Sequence, residues 1–580
     1  MKPLRQPKRS LFDRLLSLIE VTPASDRLIL RVLFFVVVFS GVWLVISINH
    51  HYSAVTPIRG GTLKEGIVGT PRFINPTLAI ARADQDVTAL VYSGLMKIDS
   101  KGDLVPDIAE SITTSDDGLT YNVVLRKDVH FHDGTPLTAK DVDFTIGLIK
   151  NPDLKSPIRG NWNDVNVEVV NDYELNIVLK NPYVPFKENF LVGIMPAHLW
   201  SQIPIEQLPF NKLNTEPVGS GPFKVKTASR DANGLINSYI LTANKTTPTP
   251  PKIDTFELHF YNDEETLVAA MKKGTIDTSA YVANESIASL TDSGNFKVIT
   301  EPLPRVFGMF FNQNKQPALR DPAVREALEV AIDRDNIIAT ALKGQGVPID
   351  TPMPESSSTL QSRDGSNEET PDSRVARAQK ILTDAGWTKN NLGLLEKQID
   401  GSATTLSLTV RTSNVPLFNT VSQMVADQWK AIGVEVSTEQ FEQTGLVQTV
   451  IRPRDFEVLL FGLDMSRAQD LYPFWHSSQK DDPGLNISQY TSLSVDALLE
   501  KARTEQDPNA RNQALTDAST IIKNERPAIF LFEPMMTYVV KKNVVISDIH
   551  NIGKPSDRFA NSTDWYTDSD NIWNIFKANN

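Results

Sequence analysis

Four segments decide the fold: TLSLTV (405–410), PLFNTVSQMVADQWKAIG (416–433), VEVSTEQF (434–441) and DFEVLLFG (455–462). They read in order as strand, helix, strand and later strand, the signature of a βαβ unit over a parallel sheet. The last strand runs out into FGLDMSRAQDLYPFWHS (461–477). Asp464 therefore stands where ligands of open α/β sheets sit, in the crevice beyond the carboxyl end of a strand. A loop aspartate also caps helices and closes turns. Its context favours more: an apolar strand precedes it, and Leu471, Tyr472, Phe474 and Trp475 follow. A carboxylate among aromatics suits a cationic ligand group, whose desolvation is offset by a charge-assisted hydrogen bond.

Outward from that unit, the chain is 580 residues long. A single core stops growing at about 250–300 residues, so two or three lobes are expected. With 41% hydrophobic and 22% charged residues, the composition is that of a globular protein. No cysteine is present, which excludes disulfides, thiolate catalysis, iron–sulfur clusters and a lipidated N-terminal cysteine. The formal charge is −12, yet residues 1–31 carry seven basic against three acidic side chains. About −16 is left on the remainder, which argues against a nucleic-acid partner.

Residues 28–48, LILRVLFFVVVFSGVWLVISI, read as one transmembrane anchor. Basic residues precede it and the nearly uncharged NHHYSAV follows, so the N-terminus lies in the cytoplasm and the bulk of the chain outside. A cleaved signal is the competing reading, but Tyr52-Ser53-Ala54 is a poor cleavage site. Leu11, Leu15, Leu18 and Ile19 share helical spacing, compatible with a helix on the inner membrane surface, a partner-binding helix or a solvated one.

Beyond the anchor, Thr120–Arg126 reads as a strand and Thr138, with Asp141 three residues on, caps a helix bearing Val142, Ile146 and Ile149 on one face. A hairpin follows, with Val165, Val167 and Val169 on one arm, Asn171-Asp172 as the turn, and Leu175, Ile177 and Leu179 on the other. Asp263, Asp321 and Asp333 cap further helices, and Gly274 and Gly344 close two of them. The polar stretch between Pro348 and about Pro371 is a surface loop or linker.

Signatures of catalysis are missing. No G-x-S-x-G elbow occurs, and VGSGPF (218–223) is a tight turn or a cleft-lining segment, since Pro222 supplies no donor for a phosphate. His130 and His132 have a spacing that can hold a metal, but no third ligand is evident and a hydrogen-bonded or solvated pair is the plainer reading. No cofactor is expected.

Several of these strings belong together: GGTLKEGIVG, PTLAIARADQDVTALVYSGLMKIDSKGDLVPDIAESITTSDDGLTYNVVLRKDVHFHDGTPLTAKDVDF, VGSGPFKVK, DEETLVAAMKKGTID, FFNQNKQPALRDPAVREALEVAIDRDNII and ILTDAGW. In this order the chain resembles the family 5 extracellular solute-binding proteins over residues 58–545. That family includes the dipeptide- and oligopeptide-binding components of ABC importers. The resemblance implies a type II periplasmic-binding-protein fold of class α/β, with two hinged lobes and an extra α+β domain behind the N-terminal transmembrane helix. Lobe I would comprise 58–100, 218–304 and 530–580, the extra domain 101–217, and lobe III 305–529, after a cytoplasmic segment 1–27 and a linker 49–57. The hinge would lie near Glu301–Arg305 and Pro527–Phe530.

In peptide-binding members, a W-x-x-D segment supplies the carboxylate that holds the ligand's N-terminal ammonium. Here it matches Phe461, Gly462, Leu463 and Asp464, with Phe461 replacing tryptophan. Other departures are the missing lipobox cysteine and an N-x-x-x-Y-x-N pattern that appears as Asn486, Tyr490 and Ser492. The expected ligand-binding residues are Asp464, Phe461, Gly462, Phe310, Asn312 and Gly221. The expected partners are a peptide or other small solute and a membrane ABC permease, served by a monomeric, extracytoplasmic, non-enzymatic protein. An extracellular peptidase or glycosidase, or a sensing ectodomain without an importer, are the alternatives.

Overall fold

In the computed structural model, which describes residues 23–354, 370–399 and 401–573, the strand Ser407–Ser413 pairs in parallel with Glu435–Phe441 and with Val458–Asp464. The helix Pro416–Ala431 makes the crossover. Pro416 fits the first turn, where its missing N–H is not needed, and Gly433, at φ +97°, takes the chain out of the helix. Val421, Val425 and Trp429 share the buried face, and the Trp429 indole donates to the Leu328 carbonyl at 2.9 Å. The surrounding sheet is mixed, not purely parallel. Arg305–Phe311 runs antiparallel to Val458–Asp464 and to the 14-residue strand Ala528–Lys541.

That long strand serves two neighbourhoods. Its first part pairs with Arg305–Phe311, and its second, from Met535 to Lys541, with Phe296–Pro302. Beyond lie Thr278–Ser279 and Thr62–Val68, the latter parallel to Thr255–Tyr261, followed by the antiparallel strands Ile236–Ala243 and Phe223–Arg230. Separate apolar cores underlie these neighbourhoods. One gathers Leu63, Val87, Tyr239 and Trp565, and two others, from residues 306–532, gather Leu328 with Trp429 and Phe310 with Trp475.

Residues 95–194 hold a core of their own beneath a four-stranded antiparallel sheet, Ala109–Thr114, Thr120–Leu125, Glu174–Leu179 and Val165–Asn171. The Asp141 carboxylate accepts the Thr138 N–H at 2.8 Å and opens the helix Ala139–Lys150, which buries Val142, Ile146 and Ile149 as their spacing predicts. The hairpin differs from expectation in two details. Asn171 pairs with Glu174, so Asp172-Tyr173 makes the turn, and Val169 is exposed, next to a bulge that precedes Asn171. Asp263, Asp321 and Asp333 each accept a backbone N–H at a helix start, as expected.

The chain divides into two units, one of Met1–Ile58 with Asp568–Asn580, the other of Arg59–Thr567. In the first, the helix Ala24–Tyr52 contains the apolar stretch Arg31–Asn49, of 19 residues and none buried. At 1.5 Å per residue this spans about 28 Å, close to a bilayer's hydrocarbon core. Just beyond it, Ser53–Pro57 pairs antiparallel with Ser569–Trp573. The segment 11–19 and most of the polar stretch 348–371 lie outside the described residues.

Within the larger unit, a charge network ties Arg558 to Glu65 and Asp86, more than 470 residues earlier in the sequence. Arg558 is fully buried and donates to Glu65 at 2.7 Å and to both oxygens of Asp86 at 2.8 Å; both carboxylates are also at 0% exposure. Tyr538 donates its hydroxyl to Glu65 at 2.9 Å. Burial pushes the Glu65 carboxyl above its usual range, and the adjacent guanidinium opposes that shift.

Candidate functional site

A cavity of about 780 Å³ opens beside the end of the strand Val458–Asp464. Its walls come from segments far apart in sequence: Tyr92–Ile98, Glu188–Gly193, Ser220, Thr246–Thr249, Asp464–Ala468 and Gly553–Asp557 among them. Asp464 lines it, as its place after the strand predicts. Its Oδ2 accepts from Arg305 Nε at 3.3 Å, and its Oδ1 from the Ser466 N–H at 3.2 Å. Arg305 and Asp464 face each other directly across the antiparallel pair. Their side chains remain 39% and 59% exposed, so the ion pair contributes about 0–1 kcal/mol to stability and its groups stay available to a ligand.

The other expected residues sit behind this wall. Phe310 is fully buried and stacked on Trp475 at 6.2 Å. Asn312 is buried too, its amide donating to the Arg454 carbonyl at 2.8 Å and its Oδ1 accepting the Asn314 N–H. Neither lines the cavity: the end of the strand Arg305–Phe311 is covered on both sides, which buries Phe310, and Asn312, one residue past it, is turned inward to its hydrogen-bond partners. Phe461 is half-buried against the core below. Gly462 is held against the ring of Phe307, where an added Cβ would lie 2.5 Å from a ring carbon. Of the aromatics after Asp464, Phe474 reaches the cavity while Trp475 packs inside.

VGSGPF is both a tight packing element and part of the wall. A Cβ on Gly221 would meet the backbone of Val91 at 2.5 Å, and the Gly221 N–H donates to the Val91 carbonyl at 2.8 Å. Ser220 and Pro222 line the cavity on either side of it. His132 pins this turn. Its Nε2–H donates to the Gly221 carbonyl at 3.0 Å, its Nδ1 accepts the Gly219 N–H at 3.3 Å, and its own N–H donates to the Gly219 carbonyl at 2.8 Å. Both ring nitrogens are thereby occupied. Burial pulls the His132 pKa down to about 4, so the ring is neutral. His130 donates its Nδ1–H to the Asp128 carbonyl at 3.2 Å.

Reasoning from sequence missed the residues that bridge the cavity. Arg467, whose side chain is 5% exposed, donates to Glu188 at 3.1 Å, to the Gly102 carbonyl at 2.7 Å and to the Asn551 carbonyl. It joins the loop after Asp464 to three other segments. Asp470 accepts from Arg503 at 2.6 Å and from the Tyr183 hydroxyl at 3.1 Å, while the Arg503 guanidinium lies 3.8 Å above the Tyr472 ring. Among the described residues no group of three or more metal-ligating side chains occurs. The arrangement can hold a solute by charge and hydrogen bonding.

Comparison with known proteins gives this geometry its context. The model for bacterial extracellular solute-binding proteins, family 5 Middle, matches residues 103–483. The oligopeptide-binding protein AppA of Bacillus subtilis (strain 168) is 30% identical over 501 residues, covering 85% of this chain and 90% of that protein. The glutathione-binding protein GsiB of Salmonella typhimurium is 25% identical over 489 residues, covering 82% and 88%. The structure of Bacillus subtilis AppA in complex with a nonapeptide superimposes with a TM-score of 0.65 at 28% identity, covering 88% of this chain and 99% of that one.

Proposed function

The chain belongs to the family 5 bacterial extracellular solute-binding proteins, and from that premise we propose that it captures peptides outside the cytoplasm and delivers them to the permease of an ABC importer. Asp464 is the observation that carries the peptide reading. It is a carboxylate on the cavity wall, at a strand's carboxyl end, with both oxygens only partly engaged. It would take the ligand's N-terminal ammonium and fix the register, while main-chain groups supply affinity with little side-chain selectivity.

The protein performs no reaction in this reading. Capture proceeds by closure of two lobes about the segments near Glu301–Arg305 and Pro527–Phe530, the ligand stabilising the closed state by its differential affinity. Lobe I is residues 58–100, 218–304 and the end of the chain, the extra domain 101–217, and lobe III 305–529. The core of the extra domain and the two cores around Trp429 and Trp475 support the division, while the core of lobe I also takes in Leu148, Leu154, Met195, Trp200 and Leu208 from the extra domain's range. Arg467 is the bolt of the closed state, since it reaches three segments across the cavity. The helix around Arg31–Asn49 anchors a monomer in the membrane by a single pass, with the N-terminus inside.

Native mass spectrometry of the purified protein is expected to detect a co-purifying peptide. Asp464→Ala is expected to weaken peptide binding by more than tenfold. Normal binding by a folded Asp464→Ala variant would sink the ammonium clamp, and turnover of labelled peptides at catalytic ratios would replace the transport reading with that of a peptidase.

A further inference from the structure

The cavity carries a second charged group that the ammonium clamp does not use. Arg305 places one donor, Nε, on Asp464 at 3.3 Å, and among the described residues its two terminal nitrogens meet no protein acceptor. Four N–H donors of a planar fork are thus left at the cavity wall. The other charges on this wall are largely matched within the protein. Arg467 is paired with Glu188, Lys97 lies 4.0 Å from Asp107, Arg126 is paired with Asp128 and Asp470 with Arg503. Lys97 and Asp107 are also partly open, at 37% and 27% exposure, but lie too far apart for a hydrogen bond; Arg305 and Asp464 are the more exposed pair and are hydrogen-bonded.

We propose that Arg305 is a specificity determinant, which reads a carboxylate on the ligand within about one residue of its N-terminal ammonium. The inference rests on the reading of Asp464 as the ammonium site. Its physical basis is charge balance. Asp464 is already neutralised by Arg305, so a ligand that brings only an ammonium leaves the site with one excess positive charge and sets that ammonium beside a guanidinium. A ligand that brings an ammonium and a carboxylate completes an alternating quartet in which every charge has an opposite neighbour.

The spacing fits such a head group. With charge-assisted hydrogen bonds of about 2.8 Å, an ammonium on the open side of Asp464 and a carboxylate on the outer edge of Arg305 lie roughly 4–6 Å apart. An acidic side chain on the first residue of a peptide spans that separation. Arg305 can meet it bidentately, because its outer edge presents two parallel N–H groups.

The test uses the full-length protein in detergent and isothermal titration with the tripeptides Glu-Ala-Ala and Gln-Ala-Ala, which differ by one ionised oxygen. The parent is expected to bind the glutamyl peptide at least tenfold more tightly. Arg305→Met should reduce that ratio to near one, and Arg305→Lys, which keeps the charge but not the fork, should restore part of it. Thermal melts establish that each variant is folded. Equal affinities in the parent, or a preference that survives in Arg305→Met, would overturn the proposal. N-acetylated forms of both peptides separate it from its premise. If acetylation costs nothing while the preference still depends on Arg305, the ammonium site fails and the carboxylate site stands. Binding of neither tripeptide would overturn the peptide reading and this proposal together.

Discussion

Two arginine–carboxylate clusters in this molecule have opposite environments. Arg558, with Glu65 and Asp86, is sealed at 0% exposure, and its terminal nitrogens are committed within the protein. Arg305 and Asp464 face a cavity at 39% and 59% exposure, with donors and lone pairs in reserve. The chemical groups are the same. Desolvation decides the role: a sealed pair holds two distant parts of the chain together, whereas an open pair contributes little to folding and is ready for a ligand.

The sharpest way to break this contrast is Arg558→Met. It strands two carboxylates in a dry interior and is expected to destabilise the fold by about 3–5 kcal/mol in chemical denaturation. A variant as stable as the parent would show that the sealed network contributes no stability. Next in size is the effect of pH through His132. Its unfolded ring has a pKa near 6.5 and its folded ring one of about 4, so between these values the unfolded state binds the extra proton. The stabilisation is complete above pH 6.5, is lost as pH falls toward 4, and amounts to roughly 3 kcal/mol. His132→Gln, which keeps a donor and an acceptor without the titration, should flatten the slope of stability over that window.

A smaller effect is expected from Arg467→Gln. It removes the charge opposite Glu188 and weakens the bridge across the cavity by about 2 kcal/mol. Small-angle scattering should report a larger radius of gyration for the ligand-free variant, and an unchanged radius would contradict the role of a bolt. The smallest change in stability belongs to Arg305→Met, within about 1 kcal/mol by denaturation. A loss as large as that of Arg558→Met would erase the distinction between the sealed and the open pair.

How far the sequence reveals all this depends on whether the governing contacts are local. The caps at Thr138, Asp263, Asp321 and Asp333 and the βαβ unit around Pro416–Ala431 are set by neighbours a few residues away, and they are legible. Asp464 could be placed because a strand's end is itself a local feature. Its pairing with Arg305 could not, because it depends on the register of two strands 159 residues apart in sequence. The burial of Phe310 is illegible for a related reason: a strand covered on both faces loses the alternation that separates inside from outside, and Asn312, just past that strand, is held inward by a carbonyl 142 residues away. Arg467 and Glu188 meet across 279 residues, and neither carries a local signal.

The central claim is that Asp464 holds the ammonium of a bound peptide, and a thermodynamic cycle on the full-length protein tests it most directly. Titration calorimetry would compare Glu-Ala-Ala with its N-acetylated form on the parent and on Asp464→Asn. The prediction is that acetylation and the substitution each weaken binding more than tenfold, and that acetylation costs almost nothing once the carboxylate is gone. Equal losses from acetylation in parent and variant, or undiminished binding by a folded Asp464→Asn protein, would contradict it.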